Sequence, residues 1–193
     1  ASGNGHTGVV TGAVYAAGRI GRNLDFAGGV TTDRVTVAHH ASLLPTVGLT
    51  LAAWIYPLSS GPSTWARVLQ KSVGAAMATG YGWYLLTDKM NLDIHGIGGP
   101  LSNTAVTYNA WQHIAVTVDG SKNLVYYLNG QPDGGGVMAN GFGTITTVGP
   151  LIIGNRADLI RAWDGLIDAL HFWNRVLTPT DIRRTMHAMS PVA

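Results

Sequence analysis

Short apolar segments alternate with clusters of glycine and small polar residues along the whole chain. In some segments apolar and polar residues alternate, as in half-buried strands, and in others the apolar residues run on without interruption, as in strands covered on both faces. The segments recur about every ten residues, the spacing expected of an all-β sandwich or barrel. The predicted strands are residues 8–11, 22–26, 34–38, 48–56, 66–72, 82–87, 90–95, 103–107, 111–118, 124–128, 150–154 and 166–173.

Two local signals refine this all-β prediction. Asp119, Gly120 and Asn123 supply turn residues between two apolar segments and predict a β-hairpin. Near the end of the chain, Thr178 is a good N-cap and is followed by Pro179 at the first helical position. The sequence therefore predicts one short C-terminal helix of about two turns, because such caps mark helix starts.

The composition suits one domain with a sizeable core. The chain has 193 residues, of which 46% are hydrophobic, only 11% are charged and 26 are glycine. Many glycines favour tight turns between short strands, and helical bundles rarely have this composition. We therefore expect residues 1–193 to form a single domain.

Charge and residue usage exclude several classes of function. The formal charge is +2 and the basic residues are scattered, so no basic stripe indicates a nucleic-acid partner. No apolar run is long enough to span a membrane. The chain has no cysteine, and all ten acidic residues are aspartates. Disulfides, thiolate metal sites and cysteine nucleophiles are therefore excluded.

One carboxylate stands out in the last apolar segment. If residues 166–173 alternate strictly, Asp168 shares a face with Leu166, Leu170 and Phe172. A carboxylate turned toward a core needs a cation or hydrogen-bond donors, because an unpaired buried charge is costly. The sequence therefore predicts partners around Asp168.

Five blocks, taken in order, resemble one known superfamily. They are "GRIGRNLDFAGG…DRVTV", "LTLAAWIYP", "WQHIAVTVDGSKNLVYYLNGQ", "LIIGN" and "WDGLIDALHFWNRVLTPTDI". The set is similar to laminin-G-like, concanavalin-A-like jelly rolls, and most of all to LamG-like modules of bacterial secreted multidomain proteins. The resemblance implies a two-sheet antiparallel β-sandwich that binds ligands and does not cleave them, in a protein outside the cell or at its surface.

The chain departs from that superfamily at two places. A first strand usually precedes the "SGNG" segment and lies beside the last strand, and Ala27 stands where an aspartate is common. Without the first strand, part of residues 166–173 has an open edge that a second copy or a strand-donating partner can cover. The alternative is that the strand belongs to a segment outside this sequence.

The resemblance also implies a structural calcium ion. In the superfamily the aspartate of the last strand commonly binds calcium, which here points to Asp168, with Asn4 of the "SGNG" loop as its partner. The alternative is that backbone amides or an arginine donate hydrogen bonds to Asp168. Asp164, beside Gly165, is interpreted as a turn residue.

The aromatic residues divide by their sequence context. Trp54, Trp111 and Trp163 are predicted to pack in the core. Trp65 lies in a Ser/Gly/Pro-rich segment, and Tyr81 and Trp83 lie in "TGYGWY". Because glycines can expose neighbouring rings, these three residues are candidates to stack on a sugar, or alternatively to contact a protein.

A histidine is the fourth candidate ligand-binding residue. His95 lies two positions after Asp93, so the pair is predicted to share a strand face. Such a pair can bind a metal or form a polar relay, but a third converging ligand is not evident, and a polar strand face is the favoured interpretation.

The sequence favours binding over catalysis. Glycosidases need two carboxylates across the scissile bond, and this chain offers no glutamate and only the weakly supported pair Asp88 and Asp93. We therefore predict a non-catalytic recognition module with a glycan or a surface protein as partner. The alternatives are a structural or adhesive domain that uses an open sheet edge, and a glycoside hydrolase or lyase relative.

Overall fold

The computed structural model describes residues 5–26, 32–61, 64–142 and 145–187. These residues contain fourteen strands, a 3-10 turn at Ala41–Leu43 and one α-helix. The strands are β1 (Gly8–Thr11), β2 (Val14–Ala17), β3 (Arg22–Phe26), β4 (Arg34–Val37), β5 (Gly48–Pro57), β6 (Arg67–Lys71), β7 (Tyr81–Leu86), β8 (Lys89–Ile94), β9 (Ile97–Gly98), β10 (Gln112–Asp119), β11 (Asn123–Leu128), β12 (Gln131–Val137), β13 (Leu151–Ile153) and β14 (Gly165–Trp173), and the helix is α1 (Pro179–Thr185).

The strands form two antiparallel sheets of seven strands each. The first sheet has the order β1-β4-β13-β6-β7-β8-β9, and the second has the order β12-β11-β10-β5-β14-β3-β2. Half of the neighbouring strand pairs are distant in sequence, for example β4 with β13 and β5 with β14, as in a jelly-roll sandwich. The predicted all-β sandwich with one short C-terminal helix is confirmed.

The main core lies between the sheets. Every second residue of the central strands points into it, for example Leu51 and Ile55 of β5 and Tyr81 and Trp83 of β7. Each large apolar side chain buried in this way stabilises the fold by about 1.5–3 kcal/mol. Tyr81 satisfies its hydroxyl group by donating to the Leu43 carbonyl oxygen at 2.9 Å.

A smaller apolar cluster lies on the outer side of the second sheet, where α1 packs. The cluster contains Ala52, Ala115, Tyr127, Trp173, Leu177 and Ile182. The Thr178 hydroxyl oxygen accepts a hydrogen bond from the Asp181 amide at 3.2 Å, so the predicted N-cap is confirmed. The helix, only seven residues long, is too short to cross a membrane, and no other helix in the described residues can do so.

The hairpin prediction is also confirmed, whereas the prediction of a strand at residues 103–107 is not. Asp119 accepts hydrogen bonds from the Ser121 and Asn123 amides at 2.8 and 2.9 Å, which fixes the turn between β10 and β11. Residues 103–107, predicted as a strand, contribute only an isolated bridge to the first sheet. The glycine-rich segment that follows the hairpin forms β12, where a Cβ at Gly135 would lie 2.0 Å from the Leu124 carbonyl oxygen. Only glycine allows that approach.

A β-bulge changes the direction of Asp168. Asp168 pairs with Trp54 and His171 pairs with Ala52, so β14 has one residue more than β5 over this stretch, and Ala169 has a positive φ of 44°. Leu170 and Phe172 consequently pack on the main core, whereas Asp168 lies on the outer side of the second sheet. The prediction that Asp168 shares a face with them is wrong, because strict alternation does not hold across a bulge.

The pairing of β14 is incomplete within the described residues. Gly165–Ile167 pair with β3 on one side and with β5 on the other. His171–Trp173 pair with β5, and the described residues provide no strand on their other side. The predicted homo-oligomer or strand-donating partner at this edge stays a prediction.

Candidate ligand-binding site

Polar side chains cover the outer side of the first sheet. Because side chains alternate along a strand, residues such as Trp83 and Leu92 point into the core and their neighbours point outward. The outward side chains form what we call the polar face. Its members are Arg67, Gln70, Tyr84, Asn91 and Asp93, and all five are buried.

Arg67, Tyr84 and Asp93 form the centre of the polar face. The guanidinium carbon of Arg67 lies 3.9 Å from the centroid of the Tyr84 ring, and the Tyr84 hydroxyl donates to Asp93 Oδ1 at 2.7 Å. Burial lowers the pKa of Arg67 and raises the pKa of Tyr84. Burial also raises the pKa of Asp93, although the Tyr84 hydrogen bond and Arg67 oppose this shift. Tyr84 therefore remains a protonated donor at neutral pH.

Two further side chains extend this centre toward solvent. The Trp65 ring is nearly parallel to the Tyr84 ring, with an interplanar angle of 12° and 5.6 Å between centroids. The guanidinium carbon of Arg161 lies 5.0 Å from the Trp65 centroid. Trp65 and Arg161 are half-buried, so they form the accessible rim of the polar face.

Many buried polar atoms on this face and its rim have no hydrogen-bond partner. Ten such side-chain atoms occur in the described residues, and five of them belong to this region. They are Arg67 Nε, Arg67 Nη1, Gln70 Oε1, Asn91 Oδ1 and Arg161 Nε. A buried polar atom without a partner costs about 1–3 kcal/mol, so these five atoms need partners that the described residues do not supply, such as ordered water or a ligand.

The structure separates the four predicted ligand-binding residues. Trp65 lies on the rim, although Tyr84 and Arg161 already contact its ring. Tyr81 and Trp83 have 0% exposure and point into the main core, so the prediction that they are exposed is wrong. Their flanking glycines do not form an exposed loop. Gly82 lies within β7, and Gly80, directly before β7, is packed so closely that a Cβ there would lie 2.0 Å from the Lys71 carbonyl oxygen.

His95 does not continue the strand that carries Asp93. Strand β8 ends at Ile94, and His95 has a positive φ of 56° with its Nδ1 atom 3.3 Å from the Ala78 carbonyl oxygen. Asp93 instead accepts from Tyr84. The proposed role of His95 in ligand binding stays a prediction.

Asp168 has hydrogen-bond partners on the outer side of the second sheet. Its Oδ2 atom accepts from the Ile20 amide and its Oδ1 atom accepts from the Ala169 amide, both at 2.7 Å, while the residue is 5% exposed. A Cβ at Gly18 would lie 2.5 Å from Oδ2, so the 18–21 segment depends on a glycine there. The arrangement matches the alternative of backbone amide donors that the sequence left open.

The described residues fit a hydrogen-bonded carboxylate better than a calcium ligand. Both oxygens of Asp168 already accept amide hydrogen bonds, and no group of three or more His, Cys, Asp or Glu side chains converges within the described ranges. Calcium takes six to eight oxygen ligands. Asn4, the predicted second ligand, and Ala27 lie outside the described residues. Calcium binding stays a prediction.

Other predicted positions are partly as expected. Trp54 and Trp163 are buried, as predicted for packing residues, but Trp111 is only half-buried and precedes β10, with its ring 5.6 Å from that of Tyr56. Asp164 accepts a hydrogen bond from the Ser59 hydroxyl and joins the turn before β14 to the end of β5.

A laminin-G family model, described as the concanavalin A-like lectin/glucanases superfamily, matches residues 28–183. The chain belongs to this superfamily. The resemblance that the five sequence blocks predict is thereby confirmed. No curated protein matches this member of the superfamily.

Solved structures share the fold of this superfamily member at low sequence identity. Domain 4 of AbnA, a GH43 extracellular arabinanase from Geobacillus stearothermophilus, solved with arabinotriose, is 18% identical with a TM-score of 0.74, over 97% of this chain and 91% of that one. The binding domain of botulinum neurotoxin serotype G is 13% identical with a TM-score of 0.72, over 96% of this chain and 47% of that one.

A second neurotoxin structure is described by its ligands. It concerns the cell entry of botulinum neurotoxin type C, which depends on interaction with two ganglioside molecules, and it is 13% identical with a TM-score of 0.66, over 95% of this chain and 47% of that one. The lectin/glucanase-superfamily chain thus spans about half the length of the toxin chains. At these identities the likeness shows the fold alone.

Sequence reasoning missed most of the polar face in this superfamily member. Arg67, Tyr84 and Asn91 stand at outward positions of "RVLQK", "GWYLL" and "KMNLD". A signal was available in the sequence. In each of three neighbouring strands, the alternate positions that do not carry the apolar core residues carry polar or aromatic residues. That signal indicates a polar outer face, but it does not reveal that the face is buried.

Proposed function

We propose that this chain is a non-catalytic carbohydrate-recognition module, from an exported or cell-surface protein, whose ligand lies against the polar face at Trp65. The observation that carries the proposal is the group of five unpartnered buried polar atoms on the polar face and its rim, where the half-buried indole of Trp65 also lies. Sugar hydroxyl groups both donate and accept hydrogen bonds, and aromatic rings stack on the apolar faces of sugar rings.

Binding is favoured over cleavage by the positions of the aspartates. Asp93 accepts a hydrogen bond from Tyr84, and Asp88 accepts one from Tyr108. The pair of carboxylates that the sequence suggested for catalysis is therefore held by two different tyrosines. The chain has no glutamate. Related structures that carry the same fold are described with arabinotriose and with gangliosides, which supports a carbohydrate ligand.

Titration of the protein with a panel of oligosaccharides, followed by calorimetry or NMR shifts, tests the proposal. We expect binding in the micromolar to millimolar range, because a shallow site with few rings seldom binds more tightly. Trp65→Ala should weaken binding about tenfold or more, whereas Trp111→Ala, a half-buried tryptophan away from the polar face, should leave it unchanged. A parent protein that binds no member of the panel would contradict the proposal.

The pairing of β14 supports a second candidate function, an adhesive domain. Within the described residues His171–Trp173 pair on one side only, and unpaired strand edges readily accept another strand. Light scattering after size-exclusion chromatography tests this. A folded protein that stays strictly monomeric at high concentration, and binds no strand-forming peptide, would exclude edge pairing.

A further inference from the structure

The arginines around the polar face differ in whether they have a direct ion pair. Arg156 donates two hydrogen bonds to Asp158, at 2.8 and 2.5 Å, and so has its own counter-charge. Arg67 and Arg161 take part in none of the ion pairs of the described residues. The remaining carboxylate, Asp93, is held by the Tyr84 hydroxyl. Arg67 therefore has no direct ion pair in the described residues. The charge of Asp93 favours the charged form of Arg67, but the Arg67 Nε and Nη1 atoms still lack acceptors, which is costly for a buried guanidinium.

The unpartnered atoms specify what a ligand must offer. Arg67 contributes two nitrogen donors, and Asn91 and Gln70 each contribute an oxygen acceptor. A carboxylate oxygen accepts from the guanidinium in a charge-assisted hydrogen bond, which is stronger than a bond to a neutral hydroxyl. Sugar hydroxyls can donate to the two amide oxygens. A sugar acid carries both groups, whereas a neutral sugar leaves the charge of Arg67 unpaired.

Met77 covers the route to Arg67. A Cβ at Gly82 would lie 2.6 Å from Met77 Sδ and 3.7 Å from Arg67 Nη1. The Met77 sulfur and the Arg67 guanidinium therefore both lie over Gly82, where no side chain separates them. Met77 is 3% exposed and has a positive φ of 52°, a conformation that favours glycine. Its long unbranched side chain changes rotamer easily, so it can yield to a ligand that offers Arg67 a better partner.

We propose that the polar face binds a carboxylated sugar of the uronic acid type, with the carboxylate on Arg67 in the space that the Met77 side chain occupies. This proposal rests on the proposed function, because it names the ligand class of the same face. Trp65 at the rim supports the neighbouring sugar ring, and Asn91 and Gln70 accept from hydroxyl groups.

Three ligands separate the two proposals without any mutation. They are trigalacturonate, the same trisaccharide with its carboxylates methyl-esterified, and neutral arabinotriose. We expect trigalacturonate to bind about tenfold or more tightly than its ester, because esterification removes the charge and leaves the hydroxyl groups. The difference should shrink at high salt.

Variants then locate the carboxylate. Arg67→Gln should remove the preference for the acid over the ester, and Arg67→Lys should retain part of it, since lysine keeps the charge but not the guanidinium geometry. Met77→Gly should strengthen trigalacturonate binding several-fold. Lys122→Gly, which also replaces a residue of positive φ (69°) but on the β10–β11 hairpin, is the control and should bind as the parent does.

Each result decides something. Equal affinity for acid and ester, with both lost in Trp65→Ala, would overturn the carboxylate proposal and keep the carbohydrate-binding function. No binding of any of the three ligands or of the wider panel, by the parent and by Met77→Gly, would overturn both. If Arg67→Gln does not fold, the comparison of acid with ester in the parent and in Met77→Gly still tests the proposal.

Discussion

The outer faces of the two sheets use buried polar residues in opposite ways. On the second sheet, α1 and the 18–21 segment cover the face, and most polar atoms there find protein partners: His113 Nε2 lies 3.0 Å from the Thr185 hydroxyl, and Trp54 Nε1 donates to the Met186 carbonyl oxygen at 3.1 Å. On the first sheet, the polar face keeps donors and acceptors that no described residue satisfies. The difference indicates that the polar residues of the second face contribute more to stability than those of the first, as the proposed recognition role of the polar face would require.

The comparison predicts where acid will destabilise the protein. Burial first, and then the neighbouring His171 and His187, lower the pKa of His113 from its ordinary 6.5 to about 4. The His113 imidazole therefore takes up a proton less readily in the folded state than in the unfolded chain. Stability is fully present above about pH 6.5 and is lost as the pH falls toward 4, by on the order of 3 kcal/mol.

Urea unfolding between pH 7 and pH 4 measures this loss. His113→Gln should flatten the pH dependence, because glutamine does not titrate. His95→Gln is the control, because His95 lies far from α1 in sequence, in the turn that follows β8 of the first sheet; this variant should keep the slope of the parent. A slope that His113→Gln leaves unchanged would show that the helix-covered face does not carry the acid sensitivity.

Asp168 should be the most sensitive carboxylate of the second face. Asp168→Ala removes a buried carboxylate and leaves the half-buried Ile20 and Ala169 amides without an acceptor, and we expect a loss of about 2–3 kcal/mol in the free energy of unfolding. Asp119→Ala is the matched control, since Asp119 also accepts from two backbone amides, but in an exposed turn. We expect a smaller loss of about 1 kcal/mol there. Equal losses, measured by urea unfolding, would contradict the role that we assign to burial.

The sequence predicts features of the two faces that depend on local patterns, and it does not predict features that depend on how strands pair. Strands β5 and β10 were found because their apolar runs are long and continuous, and α1 was found because its cap is local. The direction of the Asp168 side chain was not predicted. One extra residue at Ala169 reverses the alternation of inward and outward side chains without any change in composition. Bulges are a property of strand pairing, which a single sequence does not contain.

The polar face was missed for a related reason. The glycines around Tyr81 and Trp83 suggest an exposed loop, yet the Lys71 carbonyl oxygen packs closely on Gly80, directly before β7, and Met77 packs closely on Gly82, within β7. From the sequence alone, Arg67 resembles an ordinary surface arginine. In the structure it is buried, and the Met77 side chain lies close to its guanidinium. Tertiary covering, and not local propensity, turns these residues into a buried site.

The polar face should respond to the loss of its charge in the opposite sense to Asp168. Arg67→Met replaces a buried guanidinium, which forms no direct ion pair in the described residues and has two nitrogens without acceptors, by an apolar side chain of similar length. We expect the free energy of unfolding to rise by about 1 kcal/mol, because the cost of these unpartnered donors is removed. The same variant should lose trigalacturonate binding. Chemical unfolding and titration of one preparation measure both effects. A variant that is destabilised by 2 kcal/mol or more would show that Arg67 is structural, and would remove the contrast between the faces.

The smallest expected effect concerns calcium at Asp168. Both carboxylate oxygens accept amide hydrogen bonds, so the described residues hold this carboxylate without a metal ion. A ligand that binds only the folded state must raise the melting temperature, and removing it must lower that temperature. We therefore expect a calcium chelator to leave the melting temperature of the parent unchanged. The chelator should also leave the melting temperature of Asp168→Asn unchanged. A clear fall in the parent alone, reversed by added calcium, would mean that the second face, too, is completed by a ligand.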